Sequence, residues 1–407
     1  MLRTILKSID KVAAKKLLPA WTPDSLRRLA QGATRMLQYR YHVHSMKKAI
    51  GGQAANLEDI AAFLRGHAIP VRAPLVLISQ VQRSGGSLLS QLFDGHPALA
   101  AYPTELRFGF SQNDQWPLVD PRQDHDQNYE LLVDLKLCRF MQHGYIKGGR
   151  KLFSPEQRKM VERQVERLRF FLVPRIQYLV FKQLFESAPP KSSRDIFDHF
   201  FTANFNAWLD YQGRLDEKKW ITAFAPRLAH DDVRTAAFFD SYPDGRLIQI
   251  IRDPRTWYPS AKNHRKSVLD GKKSGDLLAM WVESAESMLR NKARYGDRAI
   301  ILTFENLVGN TERTMRGLAR ELDIDYHPIL LQPTFNGAAI QANSSFGIGQ
   351  FGVIKSPLAR ASKLSEAERR IIEGNCLSLY DSLAAKELTA RADAEGSMKA
   401  HRFTKQV

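Results

Sequence analysis

The stretch Leu75-Val76-Leu77-Ile78-Ser79-Gln80-Val81-Gln82-Arg83-Ser84-Gly85-Gly86-Ser87-Leu88-Leu89-Ser90-Gln91-Leu92 constrains this chain more than any other. An apolar, partly β-branched run enters a Ser-Gly-Gly-Ser turn, and a helix-forming Leu/Gln pattern leaves it. A buried strand that turns straight into a helix leaves backbone N–H groups unpaired at the helix N-terminus. Those groups, the positive end of the helix dipole and Arg83 together make an anion site. Gly85 and Gly86 let the backbone come close to a phosphate or sulfate, because no Cβ stands in the way. The same residues also suit an ordinary strand–turn–helix whose glycines only make the bend.

Further strands and helices alternate along the chain. Trp220-Ile221-Thr222-Ala223-Phe224, Arg246-Leu247-Ile248-Gln249-Ile250-Ile251 and Ala299-Ile300-Ile301-Leu302-Thr303 read as buried strands. Helices are expected over 231–239, 275–295 and 311–322, and another follows Arg252-Asp253-Pro254 with Pro259-Ser260 near its start. Such alternation predicts a three-layer α/β architecture, a parallel sheet with helices on both faces. Ligands of such sheets sit at the carboxyl ends of the strands, where both the opening turn and Arg252-Asp253-Pro254 fall. Residues 111–130, rich in Asp, Asn, Gln and Pro, read as loop. A long periodic segment over 155–185 and a helix over 193–211 interrupt the alternation and form a helical insertion, at about 110–215, that can cover an acceptor. Ser365 with Glu368 three residues later forms a capping box that opens a helix reaching residue 383.

Residues 1–70 form a helical extension, residues 71–385 the main domain and residues 386–407 a tail. Leu2, Ile5, Leu6, Ile9, Val12, Ala13 and Leu17 recur at helical spacing among Arg3, Lys7, Lys11, Lys15 and Lys16. That basic amphipathic helix can pack on its own domain or make peripheral contact with an anionic membrane surface. Sixty Lys+Arg against forty-three Asp+Glu give a formal charge of +17, which favours an anionic partner without choosing among polyanion, membrane and small ligand. Cys138 and Cys376 have no metal-ligand spacing, so no zinc site is expected. No run is apolar and long enough to span a bilayer and no leader pattern is present, so a cytoplasmic protein is expected.

Two anion-binding elements thus stand at strand ends, Arg83-Ser84-Gly85-Gly86-Ser87 and Arg252 with Ser260. Two such sites favour a bisphosphorylated ligand over a lone phosphate. Neither G-x-x-x-x-G-K-[ST] nor G-x-G-x-x-G occurs in the chain, which removes most of the weight from ordinary NTPase and dinucleotide readings.

In this order the motifs resemble the sulfotransferases that use 3′-phosphoadenosine 5′-phosphosulfate (PAPS), whose fold is P-loop-NTPase-like. Arg83 to Ser87 match that family's [KR]-S-G-[TG]-[TS] loop. Arg252-Asp253-Pro254 and Ser260 match its Arg-Asp-Pro turn with a serine eight residues on. Phe304-Glu305-Asn306-Leu307 is similar to its Tyr-Glu-Asp-Leu segment, and the likeness covers roughly residues 74–385. Arg stands where the cytosolic branch has Lys, and Gly86-Ser87 where Thr-Thr is frequent.

The resemblance implies roles residue by residue. Arg83 contacts the transferring sulfonate and the leaving phosphate, and Ser84, Gly85, Gly86 and Ser87 cradle the 5′-phosphate. Arg252 and Ser260 hold the 3′-phosphate, with Lys355 and Ser345 reaching the nucleotide. Glu105, after the second strand, stands within one residue of where branches acting on glycans or protein tyrosine place a catalytic Glu, and takes the acceptor's proton. The acceptor is a small molecule or a carbohydrate, with no metal and no nucleic-acid partner. Two rival readings remain. A kinase-like phosphoryl transferase lacks its Walker motif and an evident magnesium-carboxylate pair. A non-catalytic polyanion-binding protein does not explain why Arg83 and Arg252 both end apolar strands.

Overall fold

In a computed structural model of the chain, residues 62–64, 66–109, 116–134, 172–209, 211–216, 218–268, 274–340 and 351–388 are described. Residues 1–61 of the expected N-terminal helical extension, the start of the 155–185 helix, Ser345 and the chain after 388 lie outside the described residues. Five strands, β1 (Leu75–Gln80), β2 (Leu99–Glu105), β3 (Trp220–Phe224), β4 (Arg246–Ile251) and β5 (Ala299–Thr303), form one parallel sheet in the order β2-β3-β1-β4-β5. The chain is therefore a parallel α/β protein, as its alternating pattern predicts.

Helix α1 (Gly86–Phe93) follows β1. Between β2 and β3 come α2 (His125–Leu132), α3 (Pro174–Ser187) and α4 (Ser193–Asn206), and α5 (Asp232–Ser241) leads to β4. Helices α6 (Pro254–Val268) and α7 (Ser274–Tyr295) connect β4 to β5, and α8 (Phe304–Gly309), α9 (Thr311–Glu321) and α10 (Glu366–Ala384) follow. Side chains of a strand alternate faces, and β1 shows the consequence. Leu75 and Leu77 pack with Phe181, Phe197, Phe200 and Tyr242 from α3, α4 and the end of α5. Val76 and Ile78 pack on the opposite face with Leu89, Leu92, Leu307 and Leu318 from α1, α8 and α9. Each such side chain contributes about 1.5–3 kcal/mol when fully buried. A third cluster joins α6, α7 and α10 through Trp257, Trp281, Ile372 and Cys376, against Ile251 and Ile301 of the sheet.

Two expectations are corrected: the helix expected over 193–211 ends at Asn206, and a loop gives way to a helix. The polar stretch 111–130 is not loop throughout, because α2 begins at His125. Asp124 accepts from Gln127 N at 2.8 Å while Gln127 accepts from Asp124 N at 3.3 Å, a complete capping box. Tyr129 and Leu132 are buried in the core beside Phe181, so a local cap and two apolar anchors outweigh the polar composition. The capping box expected at Ser365 and Glu368 is present at the start of α10.

Candidate active site

The connection out of β1 runs towards β2 at one edge of the sheet, whereas that out of β4 runs to β5 at the other. The crevice of an open α/β sheet opens where connections diverge in this way, at the carboxyl ends of β1 and β4. The 81–85 turn and Arg252 meet there, and Arg252 Nη1 donates to the Arg83 carbonyl at 3.3 Å.

The turn is tightly built. Arg83 has φ 74° and Gly85 φ 95°, the left-handed region that a side chain disfavours. A Cβ on Gly85 would come within 2.8 Å of Phe304, and one on Gly86 within 2.3 Å of Phe224. Gly85 is thus required by its backbone conformation and by a close neighbour, and Gly86 by its close neighbour alone. Ser84 N and Gly86 N donate to a single oxygen, Gln80 Oε1, at 3.2 and 2.6 Å. Two N–H groups that converge on one oxygen show the geometry of an anion nest. Gln80 is itself buried, and its carbonyl accepts from His230 Nε2 at 3.0 Å.

Arg252 is 2 % exposed. Its Nε donates to Thr256 Oγ1 at 2.9 Å, and its Nη2 donates to the carbonyls of Thr256 and Pro357 at 2.9 and 3.0 Å. With the Arg83 carbonyl, four of a guanidinium's five N–H groups are spent on protein oxygens, which leaves one on Nη1. The plane also lies 4.3 Å from the Phe304 ring centroid. Burial pushes Arg252 down to about 9, the Glu305 carboxylate opposes that, and Arg360 and Arg83 add to it. Arg83 and Arg360 are both lowered by burial, Arg360 also by the charge of Arg83. Three guanidinium groups thus crowd one place, a strong focus of positive potential.

Ser260, 1 % exposed on α6, accepts from Arg360 Nη1 at 3.0 Å. Arg360 belongs to the 3-10 helix Ser356–Lys363 and is a site residue that sequence reasoning missed. Nothing in Ser356-Pro357-Leu358-Ala359-Arg360 distinguishes it from a surface arginine. Glu305 holds the Arg252 turn from behind. Its carboxylate accepts from Asp253 N at 3.3 Å, Thr256 Oγ1 at 3.1 Å and Tyr380 OH at 3.1 Å, and burial raises its pKa.

Glu105 ends β2 opposite Phe224 of β3, after a shift of register beyond Ala101. Phe224 is the residue whose ring abuts Gly86, so Glu105 stands at the same carboxyl edge as the loop. Arg107 forms an ion pair with Glu105 Oε2, and both side chains are partly exposed. His96 belongs to its turn, donating from Nε2 to the Asp325 carbonyl at 2.9 Å and accepting from Ala98 N at Nδ1. Lys355 is exposed and lines a groove along α9, two residues before Pro357. Among the described residues no group of His, Cys, Asp and Glu is arranged to hold a metal ion, and no helix is long and apolar enough to cross a membrane.

A parallel sheet with a glycine turn and an arginine cluster at its switch point defines an α/β protein of the open, parallel-sheet class. The sequence matches the sulfotransferase family over residues 74–328, and the chain belongs to that family. It is similar to the sulfotransferase domain of the olefin synthase from Synechococcus PCC 7002, at 16% identity over 77% of this chain and 96% of that one, TM-score 0.46. It is also similar to sulfotransferase STF1 from Mycobacterium tuberculosis, at 14% identity over 92% of this chain and 98% of that one, TM-score 0.36. No curated protein sequence matches the chain significantly.

Proposed function

We propose that the protein transfers a sulfonate group from PAPS to an acceptor hydroxyl on a carbohydrate, glycolipid or other metabolite. The observation that carries this reading is the convergence of Ser84 N and Gly86 N on one oxygen beside the Arg83, Arg252 and Arg360 cluster. Residues so disposed fit a bisphosphorylated nucleotide. Arg83 and the backbone and hydroxyls of Ser84, Gly85, Gly86 and Ser87 would hold the 5′ end, and Ser260, Arg360 and the remaining Nη1 hydrogen of Arg252 the 3′-phosphate. The donor supplies an activated sulfonate on a phosphate leaving group.

The chain's own residues then contribute positioning, charge neutralisation and a base. Pre-aimed donors act without reorganising as charge develops, and this supplies most of the catalysis in comparable phosphoryl transfers. Arg83 neutralises the leaving oxygen and, never losing its proton, serves as a fixed cation. Glu105 takes the acceptor's proton through Oε1, while Arg107 holds Oε2 and fixes the orientation of the carboxylate.

Calorimetry tests the nucleotide. Adenosine 3′,5′-bisphosphate is expected to bind more tightly than ATP, and absence of that preference overturns the reading. Labelled PAPS with a cell extract then finds the acceptor. On it Glu105→Gln is expected to lose about 10²–10⁴-fold in turnover while still binding nucleotide. Intact turnover would remove Glu105 from the base role.

A further inference from the structure

Thr256 stands in the first turn of α6 and is 6 % exposed. It grips Arg252 along one edge of the guanidinium. Its hydroxyl accepts from Nε at 2.9 Å, and its carbonyl accepts from Nη2 at 2.9 Å. An arginine pairs with a phosphate by two parallel hydrogen bonds, and the Nε–Nη2 edge is one that can make them. Thr256 closes that edge. The second Nη2 hydrogen goes to the Pro357 carbonyl at 3.0 Å, so the Nη1–Nη2 edge is closed as well. Arg252 is left to meet an anion through one Nη1 hydrogen.

Thr256 is itself held from behind. Its hydroxyl receives the Arg252 Nε–H and has one hydrogen to give, which Glu305 Oε1 at 3.1 Å and the Asp253 carbonyl at 3.2 Å share. Both Glu305 oxygens accept from Asp253 N at 3.3 Å, and Oε2 also accepts from Tyr380 OH at 3.1 Å. Burial and the Glu305 carboxylate raise the pKa of Tyr380, so its phenol stays a donor. A relay therefore runs from Tyr380 on α10 through Glu305 on α8 to Thr256 on α6 and ends on Arg252. Every oxygen that accepts from Arg252 is neutral, and the Glu305 carboxylate bonds the hydroxyl rather than the guanidinium. The arginine is fixed without an ion pair, and its charge stays available to a ligand.

We propose that Thr256 is a positioning residue for the 3′-phosphate, a role that rests on the nucleotide being the proposed bisphosphate. It holds the Arg252 guanidinium in one plane, with Glu305 and Tyr380 behind it, so that the Nη1 hydrogen faces the phosphate beside Ser260 and Arg360. A carboxylate in place of Thr256 would grip the same edge but pair the charge. An aliphatic side chain would leave Nε bare and the plane free to turn. A hydroxyl does neither, and it passes the constraint on to Glu305.

The test uses the full chain and calorimetry with adenosine 3′,5′-bisphosphate and adenosine 5′-monophosphate. Thr256→Val removes the hydroxyl at nearly the same volume and keeps the carbonyl. It is expected to weaken the bisphosphate by about tenfold or more and the monophosphate by no more than about twofold. Thr256→Ser restores the hydroxyl and should bring both nucleotides back within about twofold of the parent protein. Tyr380→Phe releases only the far end of the relay, so it should cost the bisphosphate less than Thr256→Val does and again spare the monophosphate. Equal losses for the two nucleotides in Thr256→Val would mean that the threonine only supports the fold, and would overturn the positioning role. So would unchanged affinity. Tighter binding of the bisphosphate would overturn it too, by showing that the freed edge of Arg252 pairs with the phosphate and that Thr256 obstructs it. If Thr256→Val does not fold, Tyr380→Phe decides alone: a loss confined to the bisphosphate supports the role, and an equal or absent loss overturns it. A parent protein that binds the two nucleotides equally would overturn the bisphosphate reading itself, and the role of Thr256 with it.

Discussion

Gln80 Oε1 collects two loop N–H groups at 3.2 and 2.6 Å, so a neutral side-chain oxygen holds donors that the proposed function gives to a phosphate. Depriving a buried N–H of its acceptor costs about 1–3 kcal/mol. Gln80→Leu removes that acceptor at similar volume. Without nucleotide the variant is expected to melt below the parent protein. With adenosine 3′,5′-bisphosphate it should gain more than the parent does, because ligand oxygens pair donors that the variant leaves bare. Melting curves with and without ligand read both effects, and equal ligand shifts would show that the phosphate uses other donors. Arg83, Arg252 and the two glycines were legible in the sequence because each sits where an apolar run stops. Gln80 was not, since it reads as the last residue of a strand. Only the packed turn shows where its amide points.

Whole elements were readable wherever their own periodicity carried them. Strands β1, β3, β4 and β5 are short apolar runs buried along nearly their whole length, and α10 starts at a capping box visible in the sequence. Helix α2 escaped because Asp and Gln dominate its neighbourhood, although Asp124 and Gln127 carry the same capping signal. Helix α4 hides a different property, a carboxylate under strain. Asp198 bonds Arg194 Nε at 2.9 Å, yet burial raises its pKa from 3.8 to about 6 against the pull of that cation. Between those values the folded state holds a proton that the unfolded chain has released. The stability contributed by neutral Asp198 is full below about pH 4 and is lost as pH rises through about 6, at a slope of up to about 1.4 kcal/mol per pH unit. Asp198→Asn cannot titrate, so its stability relative to the parent protein should rise across that window, as denaturant unfolding at pH 4 to 7 would show. A constant difference would mean that Arg194 keeps Asp198 ionised.

At the scale of the molecule, the site is framed by chain that the family match, ending at 328, does not reach. Pro357 accepts from Arg252, Arg360 donates to Ser260, and Tyr380 donates to Glu305. Glu387, 3 % exposed, accepts from Thr303 N at 2.9 Å and from Asn306 Nδ2 at 2.7 Å, fastening the end of α10 to the end of β5. These contacts span 75 to 105 residues, and separations of that size leave no local pattern for a sequence to display. This layer has a chemical consequence if Arg360 completes the 3′-phosphate position beside Ser260. A charge-assisted hydrogen bond is worth about 1.5–3 kcal/mol, or roughly 10–100-fold in affinity. Arg360→Ala is expected to weaken adenosine 3′,5′-bisphosphate by that factor and adenosine 5′-monophosphate much less, since the monophosphate has nothing to place there. Calorimetry with both nucleotides separates the cases. Equal losses would show that Arg360 braces Ser260 and the 356–363 segment without meeting the ligand, because a brace supports both nucleotides alike whereas a phosphate contact distinguishes them.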